Sequence, residues 1–589
     1  MVHRIPLIAC AICAATVVSI TAKSPFRPRA ADAKGFDLVI RNGHIVDGTG
    51  SPWYSGDIGI REGRIAAIGN LASVPAKRVI DAEGLTVAPG FIDMLGQSEL
   101  TILVDPHVPS KIHQGITTEI TGEGGSAAPQ NDATLAEDHL DYEHYGIKPD
   151  WRTFREYFAR LERQGIGINL ASYVGATQVR RVVIGNADRA PTAAELEEMK
   201  RLVRQSMEEG TRGVSTALEY APAPYASTDE LIALAAESAK YGGLYATHMR
   251  NEGSGIMAAL QETARIAREA NTPVEIWHLK VAGVASWGHM PEVVKFIDDA
   301  RASGLDIAAD TYAYTAWNNS MSAFIPPWAH DGGDEQLIER LKDPASRARI
   351  RKDMMTPTQS WDNEWQEIPG PDAILISSVL NPDLLPLQGK RLSEIAKMWA
   401  VPSHGPASHE PRAVRPAKDP IDTICDLLIQ DHAATYVSVF GMQESDVELA
   451  LKQPWVSVDN DSSGTSPEGI LGQDHPHPRA YGTFPRILAK FVREEKLLTL
   501  PDAIRKFTAL PAQRMRITDR GVLKQGMWAD IVIFDPATIH DAATFENPNQ
   551  LSVGMKYVIV NGTPVIADGK MTTALPGKVL RGPGYRGAN

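Results

Sequence analysis

LYATHMRNEGSGIMAALQETARIAREANTPVEIWHLKVAG, residues 244–283, decides the fold. It opens on a short apolar run that ends in His248. A helix-like segment follows from about Ser254 to Glu269, and then a second apolar run ending in His278. That is strand, crossover helix, strand. In a parallel barrel successive strands point the same way, so both imidazoles emerge on the C-terminal face, where barrel enzymes place their chemistry. Two histidines one βα unit apart can thereby share one metal ion. The competing reading makes each a satisfied core histidine, and their common register weighs against it.

Outward from this unit the same rhythm continues. GIGINLASYVG from Gly165, GVSTALEY around Val214 and LDIAADTYAY from Leu305 are further apolar runs. Thr192 with Glu195, and Ser227 with Glu230, have capping-box spacing ahead of amphipathic helices that feed them. The alternation from about 89 to 518 is the βα rhythm of a parallel sheet. It is interrupted at about 328–416, where prolines and mixed polarity suggest an inserted subdomain. Both chain ends read differently. FDLVIRNGHIVDG and DIGIREGRIAAIG within 36–88, and ADIVIFDP and YVIVNGTPVIADG within 519–575, are short β-type runs with hairpin signals at Asn42-Gly43, Glu62-Gly63 and Asn561-Gly562. They predict one β-subdomain built from both ends.

The composition is that of an ordinary globular protein, 43% hydrophobic and 22% charged over 589 residues. A net charge of -13 and the lack of dense basic runs exclude a nucleic-acid partner and point to a small molecule. Residues 1–22 resemble an export signal: a basic start through Arg4, an apolar stretch from Ile5 to Ile20, and Ala22 at a cleavage point. An uncleaved anchor is the alternative, since the apolar run approaches membrane-spanning length. Beyond that segment no membrane association is expected. Cleavage leaves Cys425 as the one cysteine, so the exported chain, periplasmic or secreted, has no intrachain disulfide. Oligomeric state is not written in the sequence.

APGFIDM at Ala88–Met94, THMR around His248, WHLK around His278, HPRAYGTFPR from His477 and GVLKQGMWADIVIFDP from Gly521 together resemble the amidohydrolase superfamily, and within it the D-aminoacylase family. The resemblance implies a metal-bearing (β/α)8 barrel flanked by a β-sandwich, and hydrolysis of the amide bond of N-acyl-D-amino acids. The chain departs from the family twice. Where a His-x-His pair usually closes the first strand and completes a second metal site, Leu95 and Gln97 stand, and neither replaces an imidazole as a ligand. Where a cysteine commonly binds zinc, the match is Glu123. A His2Glu set with an open position is a known catalytic zinc arrangement, so Glu123, His248 and His278 imply one Zn2+ per chain. The alternative for Glu123 is a turn carboxylate or a salt-bridge partner.

The resemblance carries further roles onto this chain. Asp461 aligns with the strand-end aspartate that shuttles the proton, with Asp459 as its rival. Tyr220 matches the tyrosine that polarises the scissile carbonyl, while Lys280, Tyr312 and Arg479 fall where related deacylases hold the substrate carboxylate. For each, an ordinary structural role is the alternative. His475 and His477 read as gate or supporting residues. A cyclic-amide hydrolase of the dihydropyrimidinase type is a rival function, although its His-x-His pair and carboxylated lysine are not apparent. A metal-free binding protein that kept the fold is the other rival.

Overall fold

The computed structural model describes residues 35–400 and 417–587. The expected export signal, residues 1–22, lies outside the described residues. No helix among the described residues is long and apolar enough to cross a membrane.

Eight parallel strands form the central body. They are β1 (Phe91–Asp93), β2 (Ile116–Thr121), β3 (Asn169–Ser172, continued by Val174–Gly175), β4 (Gly213–Ala217), β5 (Leu244–His248), β6 (Val274–Ile276), β7 (Ile307–Thr311) and β8 (Val456–Val458). Each pairs in parallel with the next in chain order. The ring closes between β8 and β1, where the Met94 amide donates to the Val458 carbonyl, the Asp461 amide donates to the Leu95 carbonyl at 2.8 Å, and Gly96 bridges Ser462 in parallel. This is the (β/α)8 barrel, with β5 and β6 built from the stretch at 244–283. The helix between them runs Ile256–Glu269 and buries Ile256, Leu260, Ala264 and Ala267 at helical spacing. Thr192 caps the helix Ala193–Glu209 through a full capping box with Glu195. The Ser227 side chain accepts from the Glu230 amide to start Thr228–Ala239.

The two chain ends make a single nine-stranded sheet. Its seam is the antiparallel pairing of Ile531–Phe534 with Thr86–Pro89. The edge strand Arg64–Gly69 turns back, with the Ile65 amide donating to the Met527 carbonyl, so the sheet folds over one apolar core that includes Ile40, Ile60, Val87, Ile531 and Ile559. Glu62-Gly63 and Asn561-Gly562 are turns with positive φ, as their composition predicts. Asn42-Gly43 is not a hairpin turn. The strand Phe36–Ile45 runs straight through it with a bulge, Asn42 at φ 59°, and the register shifts between Ile40 and Gly43. Gly43 is required there because a Cβ would meet Val87 Cγ2 at 2.4 Å.

Between β7 and β8 the βα rhythm is replaced by an inserted segment. Its core is an antiparallel sheet of Trp317–Ser320, Tyr436–Val439 and Ile374–Ser378. The segment therefore begins before residue 328 and continues past 416. Its first strand, Trp-Asn-Asn-Ser, is too polar and short to show in the sequence.

Candidate active site

The C-terminal ends of the barrel strands open into a cavity of about 1140 Å3, walled in part by the inserted segment. At its floor Glu123, His248 and His278 converge, with one ligand-type atom from each within 4.8 Å of the others. No other group of three His, Cys, Asp or Glu side chains among the described residues meets that criterion. Glu123 Oε1 lies 3.3 Å from His248 Nδ1 and 3.2 Å from His278 Nε2.

Local backbone puts them there. Glu123 follows β2 on a loop held flat against the barrel by Gly122 and Gly124, both at positive φ. A Cβ on Gly122 would stand 2.6 Å from the Tyr173 carbonyl, and one on Gly124 2.5 Å from the Ala217 amide. His248 is the last residue of β5. His278 lies two residues past β6 with φ 38°, a strained value for a residue with a Cβ. It is held by its own amide donating to Asp310 Oδ1 at 2.6 Å.

The outer nitrogens of both imidazoles meet carboxylates that sequence reasoning missed. His248 Nε2 lies 2.9 Å from Glu219 Oε2, and His278 Nδ1 lies 3.2 Å from Glu252 Oε1. Lys280 Nζ is also 2.8 Å from His278 Nδ1 and is paired with Glu252. An imidazole that offers one nitrogen to a cation keeps its proton on the other, and Glu219 fixes that tautomer for His248, whereas at His278 Nδ1 the Lys280 ammonium and the Glu252 carboxylate both approach. Glu252 sits four residues after His248 and Glu219 immediately before Tyr220, so their positions in the motifs were the available signal.

Electrostatics agree with that arrangement. Burial pushes the Glu123 carboxyl up, but the hydrogen bonds and charge of His248 and His278 more than reverse this and hold it well below the usual carboxylate range. Burial works against a charged His248, yet Glu252, Glu123 and Glu219 raise it well above the ordinary imidazole value. Three carboxylates around two imidazoles, Glu252 buried and Glu123 and Glu219 partly so, call for positive charge at their centre. A divalent cation fits that demand and the donor set of two nitrogens and a carboxylate oxygen.

Leu95 is wholly buried among Ile92, Met94, Ile120 and Trp277, away from any ligand role. Gln97 reaches the site: its Nε2 donates to Glu123 Oε2 at 2.7 Å and to Asp461 Oδ1 at 3.2 Å. Both partners are acceptors, so the amide NH2 must face them. A neutral bridge thus joins the two carboxylates across the place where a His-x-His pair would have brought a second ion. Asp93 is taken up by the buried Lys111, whose ammonium also donates to Asn460 Oδ1 and the Ser462 carbonyl. This clamp fixes the turn on which Asp461 stands at φ 45°.

Asp461 lines the cavity and pairs with Arg479 at 2.8 Å. Burial raises its pKa above the ordinary value despite the Arg479 guanidinium. Asp459 is fully buried and off the cavity wall, pushed up by burial to about 6. Tyr220 lines the cavity with its ring 5.0 Å from the His248 ring, edge-on. Lys280 lines it too, with its ammonium on Glu252. Tyr312 and Arg479 stand behind the wall. The Arg479 guanidinium covers the Tyr312 ring at 4.6 Å, its Nε has no acceptor, and the Tyr312 hydroxyl rests 3.7 Å from Met442 Sδ. His477 supports this layer, accepting from the Arg479 amide and bonding the Ala316 carbonyl, while His475 lies against the Phe545 carbonyl.

Residues 78–350 and 469–566 match the model of the amidohydrolase family. N-acyl-D-glutamate deacylase of Alcaligenes xylosoxydans xylosoxydans is 34% identical over 548 residues, 92% of this chain and 96% of that protein. D-aminoacylase of the same organism is 34% identical over 550 residues, 93% of this chain and 98% of that one. Among solved structures, the N-acyl-D-glutamate deacylase of Bordetella bronchiseptica, complexed with zinc and a phosphonate mimic of the tetrahedral intermediate, superposes with a TM-score of 0.75 at 32% identity, covering 93% of this chain and all of that one.

Proposed function

Because the chain belongs to the amidohydrolase family, in its D-aminoacylase group, we propose that it hydrolyses the amide bond of N-acyl-D-amino acids, releasing a carboxylic acid and a free amino acid. The observation that carries this reading is the meeting of Glu123, His248 and His278 on one cavity floor with Asp461 beside them. On this reading one zinc ion per chain is held by Glu123 and the two imidazole nitrogens that face it. Such an ion supplies Lewis acidity toward the amide carbonyl and toward water.

The protein's own groups do the rest. Asp461 takes a proton from the attacking water and returns it to the leaving nitrogen, so the carbonyl carbon gains oxygen as its bond to nitrogen breaks. Its raised pKa suits a group that must both accept and release a proton. Tyr220 offers its hydroxyl toward the carbonyl oxygen. Lys280 lies on the cavity wall where the substrate carboxylate would come, while Arg479 and Tyr312, packed behind that wall, support it and Arg479 fixes Asp461. Glu219 and Glu252 orient the two imidazoles.

The test is release of free amine from paired N-acyl-D and N-acyl-L amino acids by zinc-supplemented protein. The D series is expected to react and the L series to lag. Amine from neither series, with ring opening of a cyclic imide instead, would place the protein with the dihydropyrimidinase-type enzymes. We also place the mature N-terminus after Ala22, as the basic and apolar start suggests. N-terminal sequencing of exported protein should find Lys23 first, and intact Met1 would favour an anchor.

A further inference from the structure

Beside His248 the cavity wall carries more acid than the zinc site uses. Glu219 gives Oε2 to His248, while its Oε1 is buried without a donor. Glu364, from the short helix Glu364–Glu367 of the inserted segment, faces Glu219, takes the Asn319 amide NH2 on Oε1, and leaves Oε2 buried without a donor. Asn319 is 4% exposed, and its own Oδ1 also has no donor. All three residues line the cavity. Two acids that face one another, and a neutral amide whose oxygen has no donor, thus crowd acceptors onto one stretch of wall.

A proton held between Glu364 and Glu219 can answer one of these oxygens, but no cation in the wall can answer the rest. The lysine and arginine side chains lining the cavity are Arg181, Arg250 and Lys280. They are held by Glu137 and Asp138, by Glu262, and by Glu252 respectively. Burial, and then the nearby charge of Glu219, pushes the Glu364 carboxyl well above its ordinary range. Among the described residues Glu219 and Glu364 gather no third His, Cys, Asp or Glu at coordinating distance, so a second zinc lacks its usual donor set here. An ammonium or guanidinium does fit, since it carries several directed N–H donors and accepts partners over a wider spread.

We propose that Glu219, Glu364 and Asn319 bind a cationic group of the substrate, so that the enzyme selects N-acyl-D-amino acids whose side chain ends in an ammonium or guanidinium. The proposal rests on the deacylase reading above for the reaction and on the acid wall for the selectivity. An acidic side chain would meet Glu219 and Glu364 with no free cation to receive it.

The experiment compares kcat/KM of the zinc-loaded enzyme on N-acetyl-D-lysine, N-acetyl-D-norleucine and N-acetyl-D-glutamate. The lysine derivative should exceed the neutral norleucine derivative by about tenfold or more, the scale of one charge-assisted hydrogen bond, and the glutamate derivative should fall below both. Glu364→Gln keeps the shape of the side chain but places a donor where the ligand needs an acceptor, and should reduce the lysine-to-norleucine ratio about tenfold. A wild-type ratio of one or less overturns the proposal whether or not the variant folds, and so does an unchanged ratio in folded Glu364→Gln. Should no N-acyl amino acid be cleaved, the deacylase reading fails, and calorimetric binding of the same three compounds decides the acid wall separately. Tighter binding of N-acetyl-D-lysine supports it, and equal or weaker binding refutes it.

Discussion

Glu123→Ala loses both the metal and the activity. The substitution removes one of three ligands and the carboxylate that both imidazoles face at 3.2–3.3 Å. It also strands the Gln97 amide, which is anchored on Glu123 Oε2. Removing a mere hydrogen-bond partner of a ligand typically costs about 10–100-fold in metal affinity, so loss of the ligand itself should exceed about 100-fold. Metal analysis after gel filtration, paired with a turnover assay, checks it. A variant that retains zinc and turns over would return Glu123 to the role of a turn carboxylate.

Asp461→Asn behaves differently. Its side chain stands beside the triad, tied to Gln97 and Arg479, and contributes no atom to the group of three ligands. The amide keeps the shape and cannot take a proton. Zinc content should therefore stay at the wild-type level while kcat falls by about 10²–10⁴, the usual worth of a positioned general base. KM should move far less. Loss of zinc in this variant would mean that Asp461 is a ligand, and full activity would pass the proton to another group.

The fold was legible where a pattern is local. The apolar runs ending in His248 and His278 are strand ends because burial on both faces of a barrel strand demands such runs, and the capped helices between them announce their own starts. It was illegible where a partner decides. Asn42-Gly43 has the composition of a turn, yet the pairing of Gly43 with Gly56 carries the strand onward and makes a bulge. The strand Trp317–Ser320 has no apolar alternation to announce it and exists because Tyr436–Val439 pairs with it.

The site divides the same way. His248 and His278 could be picked out because strand-end position is a sequence property, and Glu123 through its match to the family's cysteine. Glu219 could not. The register that sets Ala217 opposite His248 is what brings the next carboxylate but one onto the imidazole. Gln97 could be read only as the absence of a histidine, whereas in the fold it joins Glu123 to Asp461. On the single-ion reading that bridge takes the second ion's part: hydrogen-bond donors stand where a second charge would otherwise balance the two carboxylates.

Anomalous diffraction at the zinc edge from crystals of the active protein tests this most directly. The account predicts one peak, at the point shared by Glu123, His248 and His278, with Gln97 still bridging Glu123 and Asp461. A second peak of similar height beside Asp461, or no peak within coordinating distance of Glu123, would contradict it.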